Sequence, residues 1–402
     1  MTNSIAATPE GQSTSSRPPA APWLALLAGP LSFGIAGPAL ILPNAAGDLG
    51  VSVGAVTWIV TAFGLGIAVG TPLMAGVIGH RGVRTALIWS GVLVLLGSIL
   101  VAGVPLLPGL ALASALQGLG SAGLTTIAMN LAKSTRVMGL VTASLAVFGA
   151  TAPLVGSLVS DVFSWQAALA LPAVALLGVP AALRRAPTGT TARDQFDGRG
   201  AVLLTVAVTA LVFVPQWPIA AGLSALVVGA LLGRHVRARP NGLVPAVLLR
   251  TPRFLVSAGL AFALAIVNFG MFYAIPVLLS RHAGWSSGEI GLAMLWPLLF
   301  GGAASWVVVT VTARFSFGAV VTGFVVAGIT AALVAVVTVS PLVLLVAPAI
   351  SSVTAAAGQG VFAVRATAAV PGDDRSAAIG VFTLCYLLGA AFGPSIVALL
   401  LV

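Results

Sequence analysis

The chain has 402 residues, of which 59% are hydrophobic and only 6% charged, and its mean hydropathy is +1.13. Soluble domains carry roughly 25% charged residues, so a water-soluble enzyme or binding module is excluded. The formal charge of +10, with no soluble basic face to carry it, points away from nucleic acid and toward loops facing anionic lipid.

In chain order, residues 1–22 are rich in Ser, Thr, Pro and Ala and read as a disordered cytoplasmic tail. No charged segment with a cleavage site precedes the first apolar run, so that run is expected to act as an uncleaved anchor. Apolar stretches follow at 23–46, 55–79, 84–104, 106–132, 137–161 and 164–184, a six-helix bundle over 23–185. Each approaches the roughly 20 residues a membrane span requires. A basic linker, 186–253, holds two short apolar runs, 201–215 and 218–233, separated by the turn Pro215-Gln216-Trp217-Pro218. They read as a short crossing hairpin, with a surface-lying pair as the other reading. Five more stretches, 254–280, 288–312, 317–339, 341–364 and 376–401, form a C-terminal bundle over 254–402. The fold class is therefore an all-α integral membrane protein of about 13 spans.

With these boundaries, seventeen of the 18 Lys and Arg residues fall in alternate gaps, and only Arg281 has the other parity. Basic residues stay on the cytoplasmic side during insertion. A wrong span count would scramble this pattern, so it tests the topology and places the N-terminus in the cytoplasm. The abundance of Arg, Ala, Gly and Val suggests a bacterial plasma membrane. Cys385 is the only cysteine, and His80, His235 and His282 lie far apart. No metal or cofactor spacing appears, and no nucleophile–base pair supports an enzyme.

Gln117-Gly118 recurs as Gln359-Gly360, and Ala152-Pro153 as Gly393-Pro394 in nearly the same register. This suggests a six-helix unit repeated around the hairpin, the architecture of carriers whose site lies between two halves. The second unit has five spans and the sequence ends in an apolar Leu-Leu-Val, so a last helix is expected to be absent or cut off.

Several segments resemble the major facilitator superfamily, specifically its fourteen-span drug:proton antiporters. They are Ala39-Leu40-Ile41-Leu42-Pro43 with Asp48-Leu49 and Trp58, the loop Gly76 to Arg84, Leu116 to Ala122, Gly149 to Ser157, and Leu248 to Phe254. The resemblance implies two pseudo-symmetric bundles joined by a two-helix hairpin, and a monomeric exporter of small molecules. It also implies a cytoplasmic gate in which Arg81 and Arg84 pair across the halves; the reading from the residues alone is that they anchor the topology. The departures are specific: His80 stands at the acidic position of the loop motif, Ser114 at the basic position of the fourth-helix motif, and Gly34 near the usual acidic position of the first helix.

All eight acidic residues lie in loops or at span ends. A charge at a helix centre costs ~2.5–3.5 kcal/mol on insertion scales, so such residues usually mark function. Here the only coupling candidates are Asp48 and Asp161 at the outer mouth, with capping or solvation as the alternative. Gln117, Asn268, Tyr273, Trp296, Gln359 and Tyr386 are candidates to line a substrate cavity, or to tie helices together and form an interfacial belt. Pro153 with Gly156, and Gly393 with Pro394, are candidate hinges or static kinks. The expected function is export of a mostly apolar small molecule by alternating access, with proton coupling open. The alternative is a non-transporting membrane sensor or scaffold. The partners are a small molecule, lipid and potentially protons, not nucleic acid.

Overall fold

A computed structural model describes residues 20–186, 197–214, 217–285 and 287–401, and among these no strand occurs. Most of the expected tail, the Pro215-Gln216 pair of the turn, and Val402 lie outside the described residues. Among the described residues nine helices are long and apolar enough to cross a membrane. One of them, Val53–Gly103, is 51 residues long. At ~1.5 Å per residue it is more than twice the ~30 Å hydrocarbon thickness.

That helix is two spans. Gly82 has φ 83° and ψ 166° within it, a conformation open essentially to glycine alone. Contacts on either side show the chain folding back there. A Cβ on Gly123 would meet both Met74 and Ser90, and Gly118 packs on the backbone of Phe63 and Ile67 while Gly97 meets Gln117. Residues eight before and eight after Gly82 thus pack on one neighbour, Leu107–Leu131.

Three further traverses are short or broken for local reasons. The first runs through Ala21–Ala28, Leu31–Ala36, a 3-10 turn Gly37–Leu40, and Leu42–Leu49. Pro30, Pro38 and Pro43 each remove a backbone donor and restrict the residue before them. The sixth, Trp165–Leu169 with Leu171–Gly178 and Val179–Arg185, loosens to 3-10 geometry where Pro172 opens its middle segment. The last of these traverses is Gly198–Phe213, the first arm of the hairpin. Added to the long helices, with Val53–Gly103 taken as two, they bring the described spans to the expected thirteen.

Helix starts follow their sequences. Ser52, Ser134, Ser164, Asp197 and Ser316 cap helices by accepting backbone N–H groups three residues on. Pro108, Pro218, Pro252 and Pro341 sit in first turns, where no donor is lost.

The hairpin helices are Gly198–Phe213 and Pro218–Ala238, the second five residues longer than its apolar run suggested. Gly198–Phe213 lies along the second span: Ala201, Leu204 and Val208 cluster with Ala68, Val69 and Leu73. At the far end Phe213 meets Trp58 at 6.2 Å and stacks on Trp217 at 5.5 Å. Contact along this length stands the hairpin parallel to the spans rather than across their ends. Its base is pinned by Asp197, which is 6% exposed. The carboxylate accepts the Gly200 N–H at 2.9 Å and the Leu243 N–H at 3.2 Å, and lies 2.8 and 2.9 Å from His235 Nε2.

Candidate functional site: a cavity between two helix sets

The helices before the hairpin and those after it meet around a cavity of about 350 Å³. Each element supplies the residues that its mid-length brings there. Leu31, Ser32, Ile35 and Ala36 come from the broken first span, and Ile67 and Thr71 from the second. Ala122 and Thr125 come from Leu107–Leu131, and Thr142, Leu145, Ala146, Gly149, Ala150 and Pro153 from Thr135–Val162. Across from them stand Asn268, Phe269 and Phe272 of Pro252–Ala283, with Leu298 of Ser287–Thr312. Ser352, Ala356 and Gln359 of Val346–Ala368 and Thr383, Tyr386 and Leu387 of Arg375–Leu401 complete the wall. Among the described residues no Asp, Glu, Lys, Arg or His is in this lining.

Three of the six expected cavity residues are brought together: Asn268, Gln359 and Tyr386, respectively 6%, 5% and 8% exposed. The other three are not. Gln117 is 1% exposed and donates from Nε2 to Ser98 Oγ at 2.9 Å, tying the fourth span to the third. A buried amide finds a neighbouring helix when no cavity is in reach. Tyr273 and Trp296 are 44% and 49% exposed and lie outside the lining. Their depth along the span was readable in sequence; their direction around the helix was not.

Asp48 is exposed and accepts the Trp165 Nε1–H at 2.7 Å, joining the ends of the first and sixth spans. Asp161 is exposed at the end of Thr135–Val162. Neither belongs to the cavity wall. Pro153 reaches the wall, whereas Gly156 packs on Gly37, where a Cβ would lie 2.7 Å from the carbonyl oxygen. Gly393 packs in the matching way on Ile266 and Gly270, and Pro394 follows it inside Arg375–Leu401. Both glycines therefore serve close helix contacts, Gly156 three residues after Pro153 and Gly393 one before Pro394.

The sets pack together beneath the cavity, at the end that bears the Arg-rich loops. Gly139 meets Val309, Gly360 meets Thr142, and Gly380 meets Ala75 and Pro72. Thr383 Oγ1 lies 3.6 Å from Met129 Sδ. Of the two expected gate residues, Arg81 sits 5.1 Å from the Trp89 ring centroid within its own helical hairpin, and Arg84 is exposed. Two other arginines cross the interface. Arg375 Nη2 donates to the Ala132 carbonyl at 3.1 Å, at the negative end of Leu107–Leu131. The Arg136 guanidinium lies 5.4 Å from the centroid of Trp306. A sequence signal was present: the register that relates Gln117 to Gln359 also relates Lys133 to Arg375, so both repeats place a cation before the same helix.

Comparison with known proteins gives one consistent picture. The family model described as Major Facilitator Superfamily matches residues 23–394. An uncharacterized MFS-type transporter of Mycobacterium tuberculosis is 30% identical over 287 residues, 65% of this chain and 40% of that protein. The methylenomycin A resistance protein of Streptomyces coelicolor is 27% identical over 289 residues, 67% of this chain and 61% of its own length. The matched region spans less than two thirds of the length of these relatives. Among solved structures, the human organic anion transporter MFSD10 matches with TM-score 0.62 at 16% identity, covering 94% of this chain and 91% of that one. The proton:xylose symporter XylE matches with TM-score 0.58 at 14% identity, covering 93% and 87%. At these identities the structural likeness concerns the fold.

Proposed function

The chain belongs to the Major Facilitator Superfamily, and from that premise we propose that it exports a mostly apolar small molecule across a bacterial plasma membrane. The observation that carries this reading is the cavity of about 350 Å³ shared by both helix sets and free of charged side chains. Small-molecule sites are concave and mainly apolar with a few polar groups. In repeat-built carriers they lie where the halves meet. Residues 23–185 and 254–402 are taken as the two units that rock around it, joined by 186–253, with the N-terminus cytoplasmic on the strength of the basic-loop parity. The resistance named for the Streptomyces coelicolor relative supports export of an antibiotic-like compound.

Proton coupling, in this reading, falls to Asp48 and Asp161, because no carboxylate is in the cavity lining among the described residues. The test is export of the uncharged dye Nile red from an efflux-deficient bacterium, with and without a protonophore. Lower dye retention that protonophore abolishes is expected, with loss in Asp48→Asn combined with Asp161→Asn. Asn at 48 can still accept from Trp165, so that variant removes the titration more than the fold. Undiminished retention, from protein shown to be in the membrane, would sink the export reading. Protonophore-sensitive export that survives the double variant would move coupling away from the outer mouth.

A further inference from the structure

The two walls of the cavity differ in what they leave available. On the N-terminal wall the hydroxyls are already spent on backbone carbonyls. Ser32 donates to Leu145 O at 2.8 Å, Thr71 to Ile67 O at 2.8 Å, and Thr142 to Gly139 O at 3.2 Å. Thr125 Oγ1 has no partner, but it is itself sealed by packing. The rest of that wall is aliphatic, as at Leu31, Ile35 and Ala146.

The C-terminal wall is aromatic and keeps polar groups in reserve. Phe269 meets Tyr386 edge-on at 6.2 Å and Phe272 at 5.5 Å. Asn268 accepts from Ser351 through Oδ1 at 3.3 Å, which leaves its amide N–H groups unspent. Among the described residues the Gln359 amide and the Tyr386 hydroxyl have no hydrogen-bonding partner, though both residues are more than nine-tenths buried and line the cavity. Neither polar end is among the sealed unpaired atoms, so both open onto the cavity, where a ligand can supply the hydrogen bonds that polar groups of buried residues normally make.

We propose that the cavity takes an uncharged, planar, ring-containing ligand with a hydrogen-bonding edge. Gln359 and Tyr386 read that edge, and the aliphatic N-terminal wall covers the opposite face. The inference rests on the cavity being the transport site. Ring faces and edges suit the Phe269, Phe272 and Tyr386 cluster. An amide and a phenol can both donate and accept, which matches an imide or lactam edge. A cation would enter without a carboxylate to meet it, and an anion without a basic group, so either would be disfavoured by desolvation. The C-terminal set therefore supplies selectivity, and the N-terminal set supplies a smooth surface that can release the ligand as the sets rock.

The test uses purified full chain in lipid nanodiscs with two planar fluorescent probes, neutral 4-amino-1,8-naphthalimide and cationic ethidium. Saturable naphthalimide binding is expected, with ethidium at least about tenfold weaker. Gln359→Met keeps the volume and Tyr386→Phe removes only the hydroxyl; each should weaken naphthalimide binding by about tenfold, the scale of one buried hydrogen bond. Tyr273→Phe, outside the cavity, should leave it unchanged. Absent naphthalimide binding, ethidium binding of equal strength, or full affinity in both cavity variants would each overturn the proposal. Binding does not depend on movement across the membrane. A chain that binds as expected but exports nothing would remove the export reading alone, and Nile red export without naphthalimide binding would remove this inference alone.

Discussion

At the residue scale, Asp197 shows how a carboxylate in a basic linker becomes structural. Burial by itself raises its pKa, but the Gly200 N–H, His235 and the Leu243 N–H outweigh that and hold it below its ordinary value. A carboxyl depressed on folding contributes stability above its unfolded pKa and loses it as pH falls through the lower folded value. Asp197→Ala should therefore cost about 2–3 kcal/mol at neutral pH, since two backbone donors and His235 lose their acceptor. The melting temperatures of parent and variant in detergent should converge as pH drops below about 3.8. A gap that persists in strong acid would show that the carboxylate charge contributes little. In the structure Asp197 caps the helix Gly198–Phe213. Its bond to Leu243, 46 residues on, was not legible in sequence, because it depends on how the hairpin folds back. For the same reason the sequence did not separate Asn268, Gln359 and Tyr386, which lie in the cavity lining, from Gln117, Tyr273 and Trp296, which lie outside it. Polarity and depth are local properties, whereas the face a side chain presents is set by which helices surround it.

At the scale of elements, the expected span boundaries came from apolar length, while the helix starts are fixed in the structure by Ser caps and first-turn prolines, which act within one turn. The breaks were less visible. The first and sixth spans read as continuous apolar runs, yet proline turns them into short helices and 3-10 segments. Gly82 is the sharpest case, since its φ of 83° lets the second and third spans pack side by side on Leu107–Leu131. Gly82→Ala should destabilise the chain by about 1–3 kcal/mol through backbone strain, read as a lower midpoint in thermal unfolding. An unchanged midpoint would mean that the reversal does not need that conformation. Gly64, whose Cβ would meet nothing within 4 Å, supplies the comparison: alanine there should be neutral or slightly stabilising.

At the scale of the whole molecule, the two helix sets are held together beneath the cavity by packing and by two arginines that cross between them. Arg375 donates to the Ala132 carbonyl and Arg136 lies over Trp306. A hydrogen bond from a charged donor is worth about 1.5–3 kcal/mol, and a partly exposed cation–π contact about 0.5–2 kcal/mol. Removing both by Arg136→Gln with Arg375→Gln should shift the population toward separation at this end by tenfold or more. Spin labels at Lys133→Cys and Arg314→Cys, in a Cys385→Ser background, would report it as a longer distance distribution. An unaltered distribution would assign closure to the Gly139–Val309 and Gly380–Ala75 packing instead.

Composition, span number, the alternation of basic loops and the family resemblance were all legible in the residues by themselves. Each depends only on the cost of placing charge or unpaired backbone in lipid, and that cost is additive along the chain. Tertiary structure decided the rest. It decided which of the buried amides face the cavity, set Arg136 and Arg375 across the interface between the sets, and left Gln359 and Tyr386 without a hydrogen-bonding partner among the described residues. These outcomes depend on the rotation of each helix about its axis and on the register between helices far apart in sequence. In spans that are apolar on every side, no periodicity records that rotation, so only the packed bundle could supply it.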